Sequence, residues 1–383
     1  DNVVAVEPES FDEESMKVVI RSDGSISHIA KTVDAQEAFG CSIDFYKFDQ
    51  TATAKLLGRA TKIIEEQCDK NQWTEIAIDH LFRESEIYSK PFDIKNIKWV
   101  EIDNRKDLIE AQNKFSYFQD GLKESKNIIF DLDGTLYIGD EGIDGASDVI
   151  SQLKSNGKQV SYVSNNSSKV KSEYVQKLAR MSIDATDVDI KLSTENVFAY
   201  LRRLQISKIY LMATPLVEDW FIEEGFEIEC VTPDIIILCF DSTISYEKLK
   251  RASELMNEGV EAIASHPDYF CPTEKGPLPD VGAFMALLES TTGKSFIEVF
   301  GKPNLEMLDY LVRDENSRDQ NAIVFGDRLH TDILLAKNAG LKSCLVLTGE
   351  TCLNKAFLSD IKPDFVLESI DDLLSYLPAV SLV

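Results

Sequence analysis

The sequence predicts an α/β protein whose larger part is a doubly wound, Rossmann-like parallel sheet. Three observations predict it. Short, almost uninterrupted apolar runs recur along the chain, amphipathic stretches separate them, and polar clusters rich in aspartate follow several of the runs. In order, the runs are Asn127–Phe130, Gln159–Val163, Lys208–Met212, Asp234–Phe240, Glu261–Ala264, Phe296–Phe300, Ala322–Phe325 and Ser343–Leu347. Between them, Lys169–Met181, Tyr246–Asn257 and Asn304–Arg313 space their apolar residues as amphipathic helices do. A strand without a polar face is buried on both sides, as in a parallel sheet covered by helices. Ligand sites in such sheets collect at the carboxyl ends of the strands, so chemistry is expected just after each run.

At 383 residues the chain exceeds one typical core and is expected to form two or three domains. The polar stretch Asp120–Lys126 follows a helix-like segment, Arg105–Phe118, and precedes the first run, which marks a boundary. A composition of 44% hydrophobic and 28% charged residues is that of an ordinary soluble chain. The net charge of −26, from 66 acidic and 40 basic residues, argues against nucleic acid or an anionic membrane as partner. No apolar run approaches the roughly 18–20 residues of a membrane span. The start, Asp1-Asn2-Val3-Val4, has neither a signal-peptide pattern nor an initiator methionine, as expected of a processed chain or a fragment. The seven cysteines (Cys41, Cys68, Cys230, Cys239, Cys271, Cys344 and Cys352) are scattered without a C-x-x-C pair. That pattern fits a reducing cytoplasm better than a disulfide framework or a zinc site.

The first run leads into Asp131-Leu132-Asp133-Gly134-Thr135. Two carboxylates two residues apart at a strand end can face one cavity, where one attacks phosphorus and the other protonates the leaving oxygen. Taken alone, the same residues would serve as an acidic turn. The second run is followed by Ser164-Asn165-Asn166-Ser167-Ser168. A helix N-cap accounts for one or two of these residues, but not for Ser164, which stands where a phosphoryl oxygen could accept its hydrogen bond. Lys302, in Gly301-Lys302-Pro303, brings a fixed positive charge to a further strand end. Asp327 and Asp332, in Gly326-Asp327-Arg328-Leu329-His330-Thr331-Asp332, add carboxylates suited to an oxygen-preferring cation such as Mg²⁺. An anionic nucleophile approaching an anionic ester needs such cations. Hydrolysis of phosphate monoesters also calls for accelerations of up to about 10²¹, beyond any single residue.

These four motifs, in this order over roughly Lys123–Leu377, resemble the haloacid dehalogenase superfamily. The resemblance implies that Asp131 is the nucleophile that becomes an aspartyl-phosphate. It implies that Asp133 is the general acid/base, with its backbone carbonyl on Mg²⁺. It implies that Ser164, Asn165 and Lys302 bind phosphate, and that Asp131, Asp133, Asp327 and Asp332 form the metal shell. Dehalogenases of the superfamily lack the second carboxylate, so Asp133 favours phosphoryl transfer. Only 33 positions separate Asp131 from Ser164, too few for a cap domain, whereas 138 separate Ser164 from Lys302. The chain therefore resembles the NagD-like and 4-nitrophenylphosphatase-type branch, with an α/β cap at 206–294 inserted between core segments 121–205 and 295–383. In the cap, Ser265-His266-Pro267-Asp268-Tyr269 and Gly276–Ala283 support that branch. His266, Asp268 and Tyr269 are the candidates for reading the leaving group. Asp280 stands where the branch usually has the first glycine of Pro-Gly-x-Gly, so no relative's substrate carries over.

Residues 1–120 form a separate expected unit. Val18–Lys31 reads as a hairpin around Asp23-Gly24, and Trp99–Leu108 as a strand turning into a helix. Both resemble the C-terminal half of sugar-phosphate and phosphocholine-type nucleotidyltransferases, which makes Asp103 the position of a vestigial metal site. The Gly-rich nucleotide loop of that family has no counterpart here. The expected function is hydrolysis of a small organic phosphate monoester with Mg²⁺ as cofactor, in a protein whose sequence is compatible with a homo-oligomer. Alternatives are a phosphomutase, a scaffold with a vestigial site, or part of a bifunctional enzyme making a nucleotide-activated sugar or alditol.

Overall fold

In a computed structural model, which describes residues 2–8, 15–66, 74–115, 117–228, 230–271, 276–311 and 321–378, the chain divides into two units, Asp1–Asp103 and Asn104–Val383. Cys68 and residues 312–313 of the third expected helix lie outside the described residues. Among the described residues, no helix is long and apolar enough to cross a membrane.

The first unit is a mixed sheet of β1 (Val3–Pro8), β2 (Lys17–Ile20), β3 (Ile26–Ala30), β4 (Gly40–Lys47) and β5 (Lys90–Asp93), in the order β3-β2-β4-β1-β5. Only the β1–β5 pairing is parallel. The expected hairpin forms: Gly24 takes φ +80°, a conformation that glycine adopts without a Cβ penalty, and the Asp23 carboxylate accepts from Ser25 N at 2.9 Å. Helix Thr74–Arg83 buries Ala77, Ile78, Leu81 and Phe82, the last three packing with Val4, Val6, Val18, Ile26 and Ile29. The strand expected at 99–103 does not form. Residues 98–102 carry no regular structure, with Trp99 and Val100 half-buried and Ile102 exposed. The helix after it does form, at Arg105–Phe115, with Asn104 Oδ1 accepting from Lys106 N (2.8 Å) and Asp107 N (3.2 Å).

That helix belongs to the second unit, which moves the boundary from the expected 120 back to 103/104. Asn113 Nδ2 donates to Val366 O (2.7 Å), and the ring of Phe118 packs on Phe365 and Tyr376. The polar stretch expected as a linker is largely helix, Phe118–Glu124, because Phe118, Gly121 and Leu122 fall on one face and are buried.

The core of the second unit is a sheet of β6 (Asn127–Phe130), β9 (Gln159–Ser164), β10 (Ile190–Leu192), β17 (Ala322–Gly326), β18 (Lys342–Val346) and β19 (Phe365–Leu367), parallel throughout. Its order is β10-β9-β6-β17-β18-β19. All residues of β6, β17 and β19 are buried, as a doubly covered sheet requires. A hairpin of β7 (Tyr137–Ile138) and β8 (Glu141–Gly142) follows β6. The inserted segment expected as a cap has its own parallel sheet, β11 (Ile209–Met212), β12 (Ile235–Leu238), β13 (Glu261–Ala264) and β16 (Glu298–Val299), and a ribbon of β14 (Phe270–Cys271) and β15 (Leu278–Pro279). The cap is wider than 206–294. Val197, Phe198 and Leu201 of helix Ser193–Arg203 already pack in its core with Phe221 and Phe300. At the other end, β16 pairs with β13, so residues 298–299 complete the cap sheet rather than the core sheet.

Candidate active site

β6 ends at Phe130 and delivers Asp131 to the carboxyl edge of the sheet, where its backbone N–H donates to Phe325 O at 2.8 Å. Gly134, immediately after Asp133, turns the chain with φ +86° into the hairpin, and Thr348 Oγ1 donates to its carbonyl at 2.6 Å. Tyr137 Oη, on the return, donates to Asp133 Oδ2 at 3.2 Å. The neighbouring strand, β9, ends at Ser164, and Ser164 and Asn165 are both buried.

Lys302 follows the last cap strand and reaches into the core edge, with only 3% of its surface exposed. Asn165 holds it there from two sides. Its Oδ1 accepts from Lys302 N at 2.6 Å, and its Nδ2 donates to Lys302 O at 3.2 Å. The ammonium ion-pairs with Asp131, lies 2.6 Å from Asp332 Oδ1, and donates to Val163 O at 3.0 Å. β17 supplies Asp327 at its end. Asp332 follows one turn later, its Oδ2 accepting from Arg328 N at 3.1 Å.

Asp131, Asp327 and Asp332 are all buried and bring one carboxylate oxygen each within 4.8 Å of one another. Burial raises the Asp131 carboxyl well above its ordinary range; Lys302 opposes this, and Asp332 and Asp327 add to it. Burial, reinforced by Asp332, pushes Asp327 up to about 7. For Lys302, burial would lower the ammonium, but Asp131 and then Asp332 more than reverse it. Asp327 Oδ2 accepts from Glu350 N at 2.6 Å, while its Oδ1 is buried without a hydrogen-bond partner among the described residues. A Cβ at Gly134 or Gly349 would overlap that carboxylate, so two glycines cradle it. Three buried, oxygen-only donors with a surplus of negative charge fit a hard divalent cation. The Asp133 carboxylate lies outside this trio.

The pocket over these groups is lined by Asp131, Asp133, Ser164, Asn165, Asn166 and Lys302 on one side, and by Asp268, Cys271 and Asp280 of the inserted segment, with Arg328 and Thr331 completing it. Of the cap residues expected to face the leaving group, Asp268 lines the wall. His266 stands fully buried behind it, with Nδ1 3.8 Å from Asp268 Oδ2 and Nε2 3.5 Å from Asp280 Oδ1. Tyr269 is exposed and does not line the pocket. Asp103, in the other unit, is exposed on an irregular stretch.

Sequence residues 128–227 match the haloacid dehalogenase-like hydrolase family, and 299–373 match a HAD-hydrolase-like family. The 4-nitrophenylphosphatase of Thermotoga maritima, a solved structure, is 37% identical with a TM-score of 0.63, over 67% of this chain and 98% of that one. The chain belongs to the haloacid dehalogenase-like hydrolases. Within that family it is a phosphoric monoester hydrolase. An acid sugar phosphatase of Staphylococcus haemolyticus is 28% identical over 67% of this chain and 98% of its own length. The glycerol phosphate phosphatase of Mycobacterium tuberculosis, solved in complex with calcium, is 27% identical with a TM-score of 0.59, over 66% of this chain and 76% of that one. Haloacid dehalogenase-like phosphatases use a divalent metal, in keeping with the three-carboxylate cluster.

Two residues of the hydrolase site escaped sequence reasoning. Arg328 Nη1 donates to Asp268 Oδ2 at 3.0 Å, and its Nε lies 3.2 Å from Glu350 Oε2, so it ties the cap loop to the core edge. Glu350 follows β18 through Thr348-Gly349. The strand-end rule that selects Asp131 and Asp327 also selects Glu350.

Proposed function

We propose that this chain is a Mg²⁺-dependent phosphatase that hydrolyses a small organic phosphate monoester through an aspartyl-phosphate on Asp131. The observation that carries this reading is the placement of a buried strand-end carboxylate against Lys302, with Asp327 and Asp332 beside it. Lys302, Ser164 and Asn165 bind the phosphoryl oxygens and hold the ester in line with Asp131. An Asp131 oxygen attacks phosphorus, the bond from phosphorus to the alcohol oxygen breaks, and Asp133 gives its proton to that oxygen. A water then attacks the aspartyl-phosphate, returns a proton to Asp133, and releases inorganic phosphate. The hydrogen bond from Tyr137 holds Asp133 in position for both transfers. Asp131, Asp327 and Asp332, with the Asp133 backbone carbonyl, would hold Mg²⁺, which would supply positive charge to offset that of the phosphoryl group. The cap, whose Asp268 meets Arg328 over the pocket, limits water around the leaving group.

The direct test is phosphate release from 4-nitrophenyl phosphate. Activity is expected with Mg²⁺, to fall below about one hundredth with excess EDTA, and to return when Mg²⁺ is restored. Undiminished turnover in EDTA would rule out the metal-dependent mechanism. A cytoplasmic location accords with the dispersed cysteines, none of which is disulfide-bonded among the described residues.

For the first unit, the proposal is a nucleotidyltransferase-like remnant, supported by the hairpin around Gly24. Asp103, the position proposed for a vestigial metal site, is exposed. The chain is therefore expected to release no pyrophosphate from CTP plus a phosphorylated alcohol, read by a coupled pyrophosphate assay. Measurable release would show an active nucleotidyl site and favour the bifunctional reading, synthesis of a nucleotide-activated sugar or alditol.

A further inference from the structure

Asp280 lines the pocket beside Asp268 and Cys271. Asp280 is buried at 5% exposure immediately before helix Val281–Thr292. Its Oδ1 accepts from Val281 N at 2.7 Å and lies 3.5 Å from His266 Nε2. Neither ring nitrogen of the buried His266 has a hydrogen-bond partner among the described residues. They face two carboxylates, Asp268 and Asp280.

The charge of this wall can be followed group by group. Arg328 is the cation nearest the leaving-group side, but Asp268 at 3.0 Å and Glu350 at 3.2 Å already answer it. Cys271 contributes no charge near neutral pH, because burial pushes its thiol up to about 11. Glu350 is also paired with Lys355 at 2.7 Å, and Asp268 with Arg328, which leaves Asp280 as the wall carboxylate with no lysine or arginine ion pair among the described residues. The phosphate end is separately served by Lys302 and the metal cluster. A second anionic group on the alcohol portion would therefore meet the Asp280 carboxylate without a fixed cation to offset it, whereas a hydroxyl or ammonium could donate to that carboxylate.

We propose that Asp280 reads the alcohol portion of the substrate, selecting phosphate esters of hydroxyl- or amine-bearing alcohols over esters that carry a second anion. This rests on the phosphatase reading above and makes Asp280 a specificity-determining residue. The experiment is competition against hydrolysis of 4-nitrophenyl phosphate in Mg²⁺ by glycerol 3-phosphate, phosphoethanolamine and 3-phosphoglycerate. The first and last differ chiefly by a carboxylate. Glycerol 3-phosphate and phosphoethanolamine are expected to compete at least about tenfold more strongly than 3-phosphoglycerate. In Asp280→Asn, which keeps an oxygen to cap the helix, that ratio should fall towards one. A role limited to starting the helix would lower all affinities together and leave the ratio in place. A parent ratio near one or reversed, or an unchanged ratio in the folded variant, overturns the inference while hydrolysis of 4-nitrophenyl phosphate stands. Absence of any hydrolysis overturns the phosphatase reading and this inference with it.

Discussion

Asp131→Asn is expected to lower kcat for 4-nitrophenyl phosphate by at least ~10⁴-fold while leaving the protein folded. The amide keeps the shape of the carboxylate but has no anionic oxygen to attack phosphorus. Its neighbours stay in place, because Lys302 still has Asp332 at 2.6 Å and Val163 O at 3.0 Å, and Asn165 still holds the lysine backbone. The metal-free variant should melt no lower than the parent. Burial and the two nearby aspartates disfavour the charged form of Asp131 more than Lys302 favours it, so a neutral isostere relieves as much as it removes. The readouts are steady-state phosphate release, thermal unfolding, and intact mass to exclude deamidation back to aspartate. A variant that retains more than about a hundredth of the parent rate would remove Asp131 from the nucleophile's role.

What the sequence made legible follows from where the chemistry sits. Asp131, Ser164 and Asp327 each end an apolar run that becomes a core strand, so local pattern and site position coincide. Lys302 also follows an apolar run, but that run, Phe296–Phe300, forms the edge of the cap sheet. Hydrogen-bond partners of so short a strand are not written in its residues, so the cap boundary at 295 was out of reach. Arg328 shows its part only through its contact with Asp268, 60 positions away, whereas Glu350 follows an apolar run and was open to the same strand-end rule. Phe118–Glu124 reads as polar linker because its buried face is just Phe118, Gly121 and Leu122, too short to show periodicity against four charged neighbours. His266 was expected to face substrate because it stands in the segment Ser265–Tyr269, expected to lie over the site. The side chain instead fills the space between two loop acids. The N-terminal hairpin was legible through Asp23-Gly24, a local turn signal, whereas the strand expected at 99–103 needed a partner that local sequence does not supply.

Lys302→Met separates two tasks of one side chain. Methionine fills a similar volume without charge, so packing changes little while Asp131 and Asp332 lose their shared counter-ion and Val163 O loses its donor. Of the two, Asp332 is the buried carboxylate left without its cation, since burial already disfavours the charged form of Asp131, and breaking one such buried pair costs about 3–5 kcal/mol. The metal-free variant is therefore expected to melt well below the parent near neutral pH. Adding Mg²⁺ should narrow that gap, since a divalent ion among Asp131, Asp327 and Asp332 replaces the missing positive charge. Activity should not follow. The ammonium is also the fixed charge beside the phosphoryl group, and removing one such electrostatic contact typically lowers turnover by about 10²–10³-fold even with the metal saturating. Thermal unfolding and phosphate release, each with and without Mg²⁺, read the two tasks independently. Full recovery of activity with Mg²⁺ would mean that Lys302 serves only to balance the aspartates. A variant as stable as the parent without metal would mean that the carboxylates are not held charged by it.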